Sequence, residues 1–162
     1  MMHHRRQMSG LLGWLGVTLA AAALGARAST AAASFYGQLA LPHWAPPASV
    51  FGPVWMFLYV LMAISAWLVW RQGGWRSHRA ALGLYLAQLT ANVLWSWLFF
   101  AWKLGAAAFV DIVVLLALIA ATMLAFARVT ALAAWLLLPY LAWASFASAL
   151  CYTAWRLNPT AL

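Results

Sequence analysis

Few side chains in this sequence can make or break bonds, and those few are not grouped for it. Asp111 is the only acid, so there is no carboxylate pair for general acid–base work. Cys151 is the only cysteine, which excludes an internal disulfide and any CxxC site. His3 and His4 sit side by side near a basic terminus, but two adjacent ligands without further donors define no metal site. Ser145 and Ser148 have no His–Asp partner nearby in sequence and read as helix–helix contacts. There is no HExxH and no phosphate-cradling glycine loop. No catalytic residue, metal ligand or obligatory cofactor is assigned. What the chain does hold is twelve tryptophans, far more than lipid-interface belts require, and a few amides at membrane depth. Indoles stack and carboxamides hydrogen-bond, so the chemistry on offer is binding.

The amides fall in one apolar run. Gln88, Asn92, Trp95 and Phe99 are spaced i, i+4, i+7 and i+11, which aligns them along one helix face. Two readings stand for the amides: ligand anchors, or bonds to neighbouring helices. Gly83, Ala87 and Ala91 form a small-residue stripe on another face, suited to close helix contact within the bundle or across a dimer. In the last run, Trp143, Ala147 and Leu150 share a face below Pro139-Tyr140. Pro139 frees a backbone carbonyl there. Leu150, Tyr152 and Arg156 also satisfy the loose sterol-contact pattern, which many helix ends match by chance. Asp111, about two turns into its run, reads as a structural partner of a neighbouring helix ahead of a proton relay.

The elements that carry these residues are membrane spans. The chain has 162 residues, 68% of them apolar and 6% charged, with mean hydropathy +0.90. A soluble domain of this size could not hide so much apolar surface. The net charge of +8 comes from nine basic residues scattered at the ends of apolar runs, as lipid anchors rather than a nucleic-acid stripe. The expected architecture is an all-α membrane protein, a five-transmembrane-helix bundle. A basic tail over residues 1–9 precedes a single domain over 10–158. Its helices fall at about 10–27, 50–70, 79–102, 106–127 and 132–155. The first run ends in Ala26-Arg27-Ala28, which mimics a signal cleavage site, but its length is that of a full span.

The one long connection, residues 28–49, holds Phe35-Tyr36, His43-Trp44 and Pro46-Pro47. A loop this aromatic is expected to pack across the helix ends as a lid. The prolines stiffen it, and Gly52-Pro53 allow the next helix to start without losing an internal bond. Arg5, Arg6, Arg71, Arg76, Arg79 and Arg128 lie on one side of the membrane, against Arg27, Lys103 and Arg156 on the other. That asymmetry favours a cytoplasmic N-terminus and an external lid.

Trp44-x-Pro46-Pro47, Phe51-Gly52-Pro53-Val54-Trp55, Leu58-Tyr59, Gln88-Leu-x-x-Asn92-x-x-Trp95-Ser96, Phe99-Phe100, Asp111 and Pro139-Tyr140-Leu141-x-Trp143-x-x-Phe146-Ala147-x-x-Leu150-x-Tyr152 follow one another in order. Together they resemble the TspO/MBR family of tryptophan-rich sensory and translocator proteins, from Tyr36 to the C-terminus. The resemblance implies a five-helix bundle, commonly a homodimer, with a pocket beneath the first loop. By the same resemblance that pocket is expected to bind porphyrins, such as protoporphyrin IX or heme, and in relatives sterols and benzodiazepine-type ligands. By position the pocket residues are Trp55, Gln88, Asn92, Trp95, Trp143, Ala147 and Leu150, with Trp44, Pro46 and Pro47 in the lid. Two departures stand out: Cys151 occupies a position where the family usually has Asn, and Leu41 one where Lys often precedes the loop proline.

The expected function is a bacterial cell-membrane sensor or carrier that holds a tetrapyrrole by stacking on Trp55 and Trp143 and polar anchoring by Asn92 and Gln88. Two rivals share the architecture. One is light-dependent porphyrin degradation using the pocket tryptophans. The other is a regulatory scaffold acting through partner proteins, with lipid filling the pocket.

Overall fold

The computed structural model describes the backbone of residues 2–162 and the side chains from residue 7 onward. The side chains of His3, His4, Arg5 and Arg6 lie outside the described residues. Six α-helices follow in order: α1 (Met2–Ala28), α2 (Ala32–Gln38), α3 (Phe51–Trp70), α4 (Gly74–Ser96), α5 (Gly105–Ala127) and α6 (Ala131–Leu157). A 3-10 turn, Ala48–Val50, leads into α3, and a π-helical turn, Trp97–Ala101, extends α4. Every helix but α2 is long and apolar enough to cross a membrane. Only about a fifth to two-fifths of each span is buried inside the protein, and the outward residues are apolar as well. That is the pattern of a bundle solvated by lipid. The molecule is a multi-pass integral membrane protein.

Helix α1 packs on α3 and α4, α3 on α6, and α5 between α4 and α6. The five spans therefore close into a ring ordered α1, α3, α6, α5, α4, with α3 and α4 also touching across it. On the N-terminal side of the bundle, Tyr85 is fully buried. Its ring stacks on Phe126 and meets Trp14 edge-on, and its hydroxyl pairs with Thr18 at 2.7 Å. One aromatic thus joins α1, α4 and α5.

Three local features depart from the simple helix pattern. Helix α4 begins at Gly74, five residues before the expected start. Gly74 has φ of +74°, a conformation that favours glycine, and His78 interrupts the helix with φ −126° and ψ 29°. The long connection contains α2, a helix too short to leave a periodic signal, which buries Phe35 and Tyr36. The π turn follows from the Trp102 N–H reaching back five residues to the Trp97 carbonyl at 2.8 Å. One extra residue per turn shifts the helix face, so both Phe99 and Phe100 point inward: Phe99 is buried, and Phe100 reaches the cavity described below. In α6, Pro139 has no N–H to offer the Trp135 carbonyl, and Ser65 of α3 donates to the nearby Ala133 carbonyl at 2.6 Å.

Candidate functional site

The lid is strapped to the bundle at three points and tied to itself at one. Phe35 of α2 packs edge-on against Phe99, and the Lys103 ammonium sits 4.8 Å from its ring centroid. Tyr36 donates its hydroxyl to the Pro46 carbonyl at 2.9 Å, which fixes the proline turn over α2. Burial raises the Tyr36 pKa, so the phenol stays protonated and remains a donor. Trp44 meets Phe146 of α6 edge-on at 5.8 Å. Asn158, just past α6, takes both polar groups of Ala40. Its Oδ1 accepts the Ala40 N–H at 2.8 Å, and its Nδ2 donates to the Ala40 carbonyl at 2.9 Å. The same Nδ2 also donates to the Ala154 carbonyl at 2.8 Å, anchoring the clamp to its own helix.

Beneath this lid lies a cavity of about 410 Å³ between α1, α3 and α4. That is within the usual size of small-molecule sites, roughly 300–1,000 Å³. Its two long walls differ. Trp55 and Tyr59 from α3 and Trp95 and Phe100 from α4 supply rings, while Ala22, Gly25 and Ala26 from α1 supply nothing larger than a methyl. Phe51 and Tyr36 close the lid end. An aromatic wall opposite a small-residue wall makes a slot, suited to a flat apolar molecule. No carboxylate, imidazole or amine lines it, and its polar content is confined to Ser29, Ser96, the two phenols and the tryptophan N–H groups. Trp95 packs against the Cys151 thiol of α6 without a hydrogen bond of good geometry, so its buried indole N–H has no such partner.

The structure divides the expected site residues into two groups. Trp55 and Trp95 line the slot. Gln88 and Asn92 lie behind it, fully buried in a hydrogen-bonded network that joins α3, α4 and α6. Tyr59 donates to Asn92 Oδ1 at 2.6 Å, Asn92 Nδ2 donates to the Tyr140 hydroxyl at 3.1 Å, and that hydroxyl donates to Gln88 Oε1 at 2.7 Å. Gln88 Nε2 has no partner. Trp143 is separated from the slot by Phe51, which it meets at 5.8 Å, and its buried N–H is unpartnered too. Ala147 and Leu150 are buried on α6 and do not line the slot. The Leu150–Tyr152–Arg156 pattern does not form one surface: Leu150 is 6% exposed and Tyr152 45%. Trp44, Pro46 and Pro47 all belong to the lid, but none touches the cavity.

Several lining residues had little or no voice in the sequence. Tyr36, Phe51, Tyr59 and Phe100 were present in the aromatic motifs without an assigned role. Ala22, Gly25 and Ala26 gave no signal, because alanine in a span is ordinary filler. Asp111 lies on α5, outside the lining, with its buried Oδ2 unpartnered. Among the described residues, no three His, Cys, Asp or Glu side chains gather as a metal site would need.

A ring of five spans enclosing an aromatic slot under a strapped lid defines a polytopic membrane protein built around an internal apolar site. Residues 14–156 match the TspO/MBR family, and the chain belongs to it. It is 42% identical over 126 residues to the translocator protein of Homo sapiens, covering 76% of this chain and 75% of that protein. To the tryptophan-rich protein TspO of Chlorobaculum tepidum it is 41% identical over 148 residues, covering 90% of this chain and 93% of the relative. To the tryptophan-rich sensory protein of Cereibacter sphaeroides it is 40% identical over 141 residues, covering 85% and 87%.

Proposed function

We propose that this protein is a membrane receptor or carrier that binds tetrapyrroles, such as protoporphyrin IX or heme, in the slot beneath the lid. The observation that carries the reading is the pairing of unlike walls: rings of Trp55, Tyr59 and Trp95 on one side, and Ala22, Gly25 and Ala26 on the other. A macrocycle stacks on the first and lies flat on the second. Stacking on one aromatic is worth on the order of 1–3 kcal/mol, by analogy with nucleobases. Arg27 and His43, both exposed on the lid side, are the groups available to propionates at the rim. The names of the relatives, a translocator and a sensory protein, agree with a receptor or carrier. The same apolar slot suits sterol-like or benzodiazepine-type ligands. A second copy of the chain has a face to use on α4, where Gly83 and the exposed Ala87 leave room.

The Tyr59–Asn92–Tyr140–Gln88 network holds the slot's floor in place, with Asn92 acting on the ligand through Tyr59. The test is titration of protoporphyrin IX into the detergent-solubilised protein, followed by absorbance and tryptophan quenching. Saturable one-site binding supports the reading. Non-saturable partition indistinguishable from empty micelles contradicts it.

A further inference from the structure

Helix α1 is held against the bundle at two places. Near its start, Gly10 lies so close under Trp70 that an added Cβ would overlap the indole ring, and the Gln7 carbonyl accepts the Trp67 indole N–H at 3.0 Å. Near its end, Gly25 faces α4, where an added Cβ would stand 3.3 Å from Ser96 Oγ. The first contact closes α1 on α3 at the N-terminal side of the membrane, and the second closes α1 on α4 at the lid side. The α1–α3 seam on the lid side has a different character. There both helices contribute slot residues that are also exposed: Ala26 from α1, and Gly52 and Met56 from α3, Met56 to 56%. A Cβ on Gly52 would meet no atom within 4 Å. These residues lie inside the apolar spans Gln7–Ala28 and Ala48–Trp70, Ala26 and Gly52 near their lid-side ends, which puts the open rim at the lipid boundary.

We propose that ligands enter and leave the slot sideways from the bilayer, through the gap between α1 and α3, with Met56 as its gate. This rests on the slot being the ligand site. A flat apolar ligand is already concentrated in lipid, and a side entrance spares it a passage through water. Opening the lid instead would break the Asn158–Ala40 pair, the Trp44–Phe146 contact and the Lys103–Phe35 contact together. The side rim has no such bonds to break. Its one large side chain is an unbranched thioether that changes rotamer easily.

The test is kinetic, on protein in phosphatidylcholine nanodiscs. Entry of protoporphyrin IX is followed by stopped-flow tryptophan quenching, and exit by a chase with empty phosphatidylcholine vesicles. Gly52→Phe and Ala26→Phe, from opposite rims, each narrow the gap. Both residues also line the slot, so Kd is measured beside the rates: a gate slows entry by about tenfold or more whatever happens to Kd, whereas a wall residue changes exit and Kd and leaves entry alone. Gly37→Phe, on an open face of α2 outside the slot, should keep wild-type rates. Unchanged entry in both rim variants, with normal binding by the wild type, overturns the side entrance. Faster entry in Asn158→Ala with unaltered rim variants places the route at the lid and overturns it too. Weakened affinity without slower entry makes Gly52 and Ala26 mere wall residues, with the same consequence. Absence of binding by the wild type overturns the tetrapyrrole reading itself.

Discussion

The Tyr59 hydroxyl donates to Asn92 Oδ1 across 2.6 Å, joining α3 to α4 at the floor of the slot. Removing the amide leaves Tyr59 without its acceptor and takes from Tyr140 the N–H it accepts. Unmade buried bonds cost about 1–3 kcal/mol, and polar contacts between membrane helices sit at the low end, averaging about 0.6 kcal/mol. Asn92→Leu should therefore lower the thermal midpoint of the solubilised protein by a few degrees, with only a secondary loss of porphyrin affinity. An unchanged midpoint with abolished binding would make Asn92 a direct ligand contact.

Much of the fold was legible because lipid imposes one rule, that each crossing segment satisfies its own backbone, and long apolar runs show where this happens. The lid was legible in part: Phe35-Tyr36 and the double proline announced a packed loop. Helix α2 was not, since seven residues span barely two turns. The lining of the candidate site was half legible. Trp55 and Trp95 stood out by type, whereas Ala22, Gly25 and Ala26 matter only for the space they leave opposite those rings. Asn92 and Gln88 invited a ligand role, and only the positions of Tyr59 and Tyr140 on two other helices reveal their bonds. Phe100 points inward because of a π turn that helical spacing cannot announce.

Asn158 bridges 118 positions to hold Ala40. Two hydrogen bonds at about 0.5–1.5 kcal/mol each tie the lid to α6. In Asn158→Ala, amide hydrogen exchange across residues 39–47 should speed up by roughly five- to a hundredfold. Exchange in the middle of α5 should stay unchanged. Equal protection of the lid in both proteins would show that the Trp44 and Phe35 contacts hold it without the Asn158 clamp.

Glycines on two helices should respond differently. Gly10→Ala would drive a methyl into Trp70 and loosen α1 from α3, lowering the thermal midpoint. A Cβ at Gly83 would meet no atom within 4 Å, so Gly83→Leu should leave that midpoint nearly unchanged. If the α4 stripe is the dimer seam, it should shift the protein toward monomer in light scattering. A stable dimer in Gly83→Leu would move the seam to another face.

The distribution of arginine and lysine favours an external lid, and thiol labelling tests it. Ser34 is exposed on α2, and its hydroxyl bonds only the Ala31 carbonyl beside it. In a Cys151→Ser background, Ser34→Cys should react with a membrane-impermeant thiol reagent from outside right-side-out vesicles. Labelling from the cytoplasmic side alone would reverse the orientation.

The central claim is that the slot under the lid is the ligand site and that Trp55 is its stacking wall. It is tested most directly by the affinity of protoporphyrin IX for single tryptophan variants, with absorbance as the check because each substitution also alters the quenched signal. Trp55→Ala should weaken binding at least about fivefold, the equivalent of about 1 kcal/mol. Trp143→Ala, acting through Phe51, should show a smaller loss. Trp75→Ala and Trp135→Ala, 46% and 66% exposed and away from the slot, should bind as the wild type does. Equal affinities across all four variants would contradict the assignment.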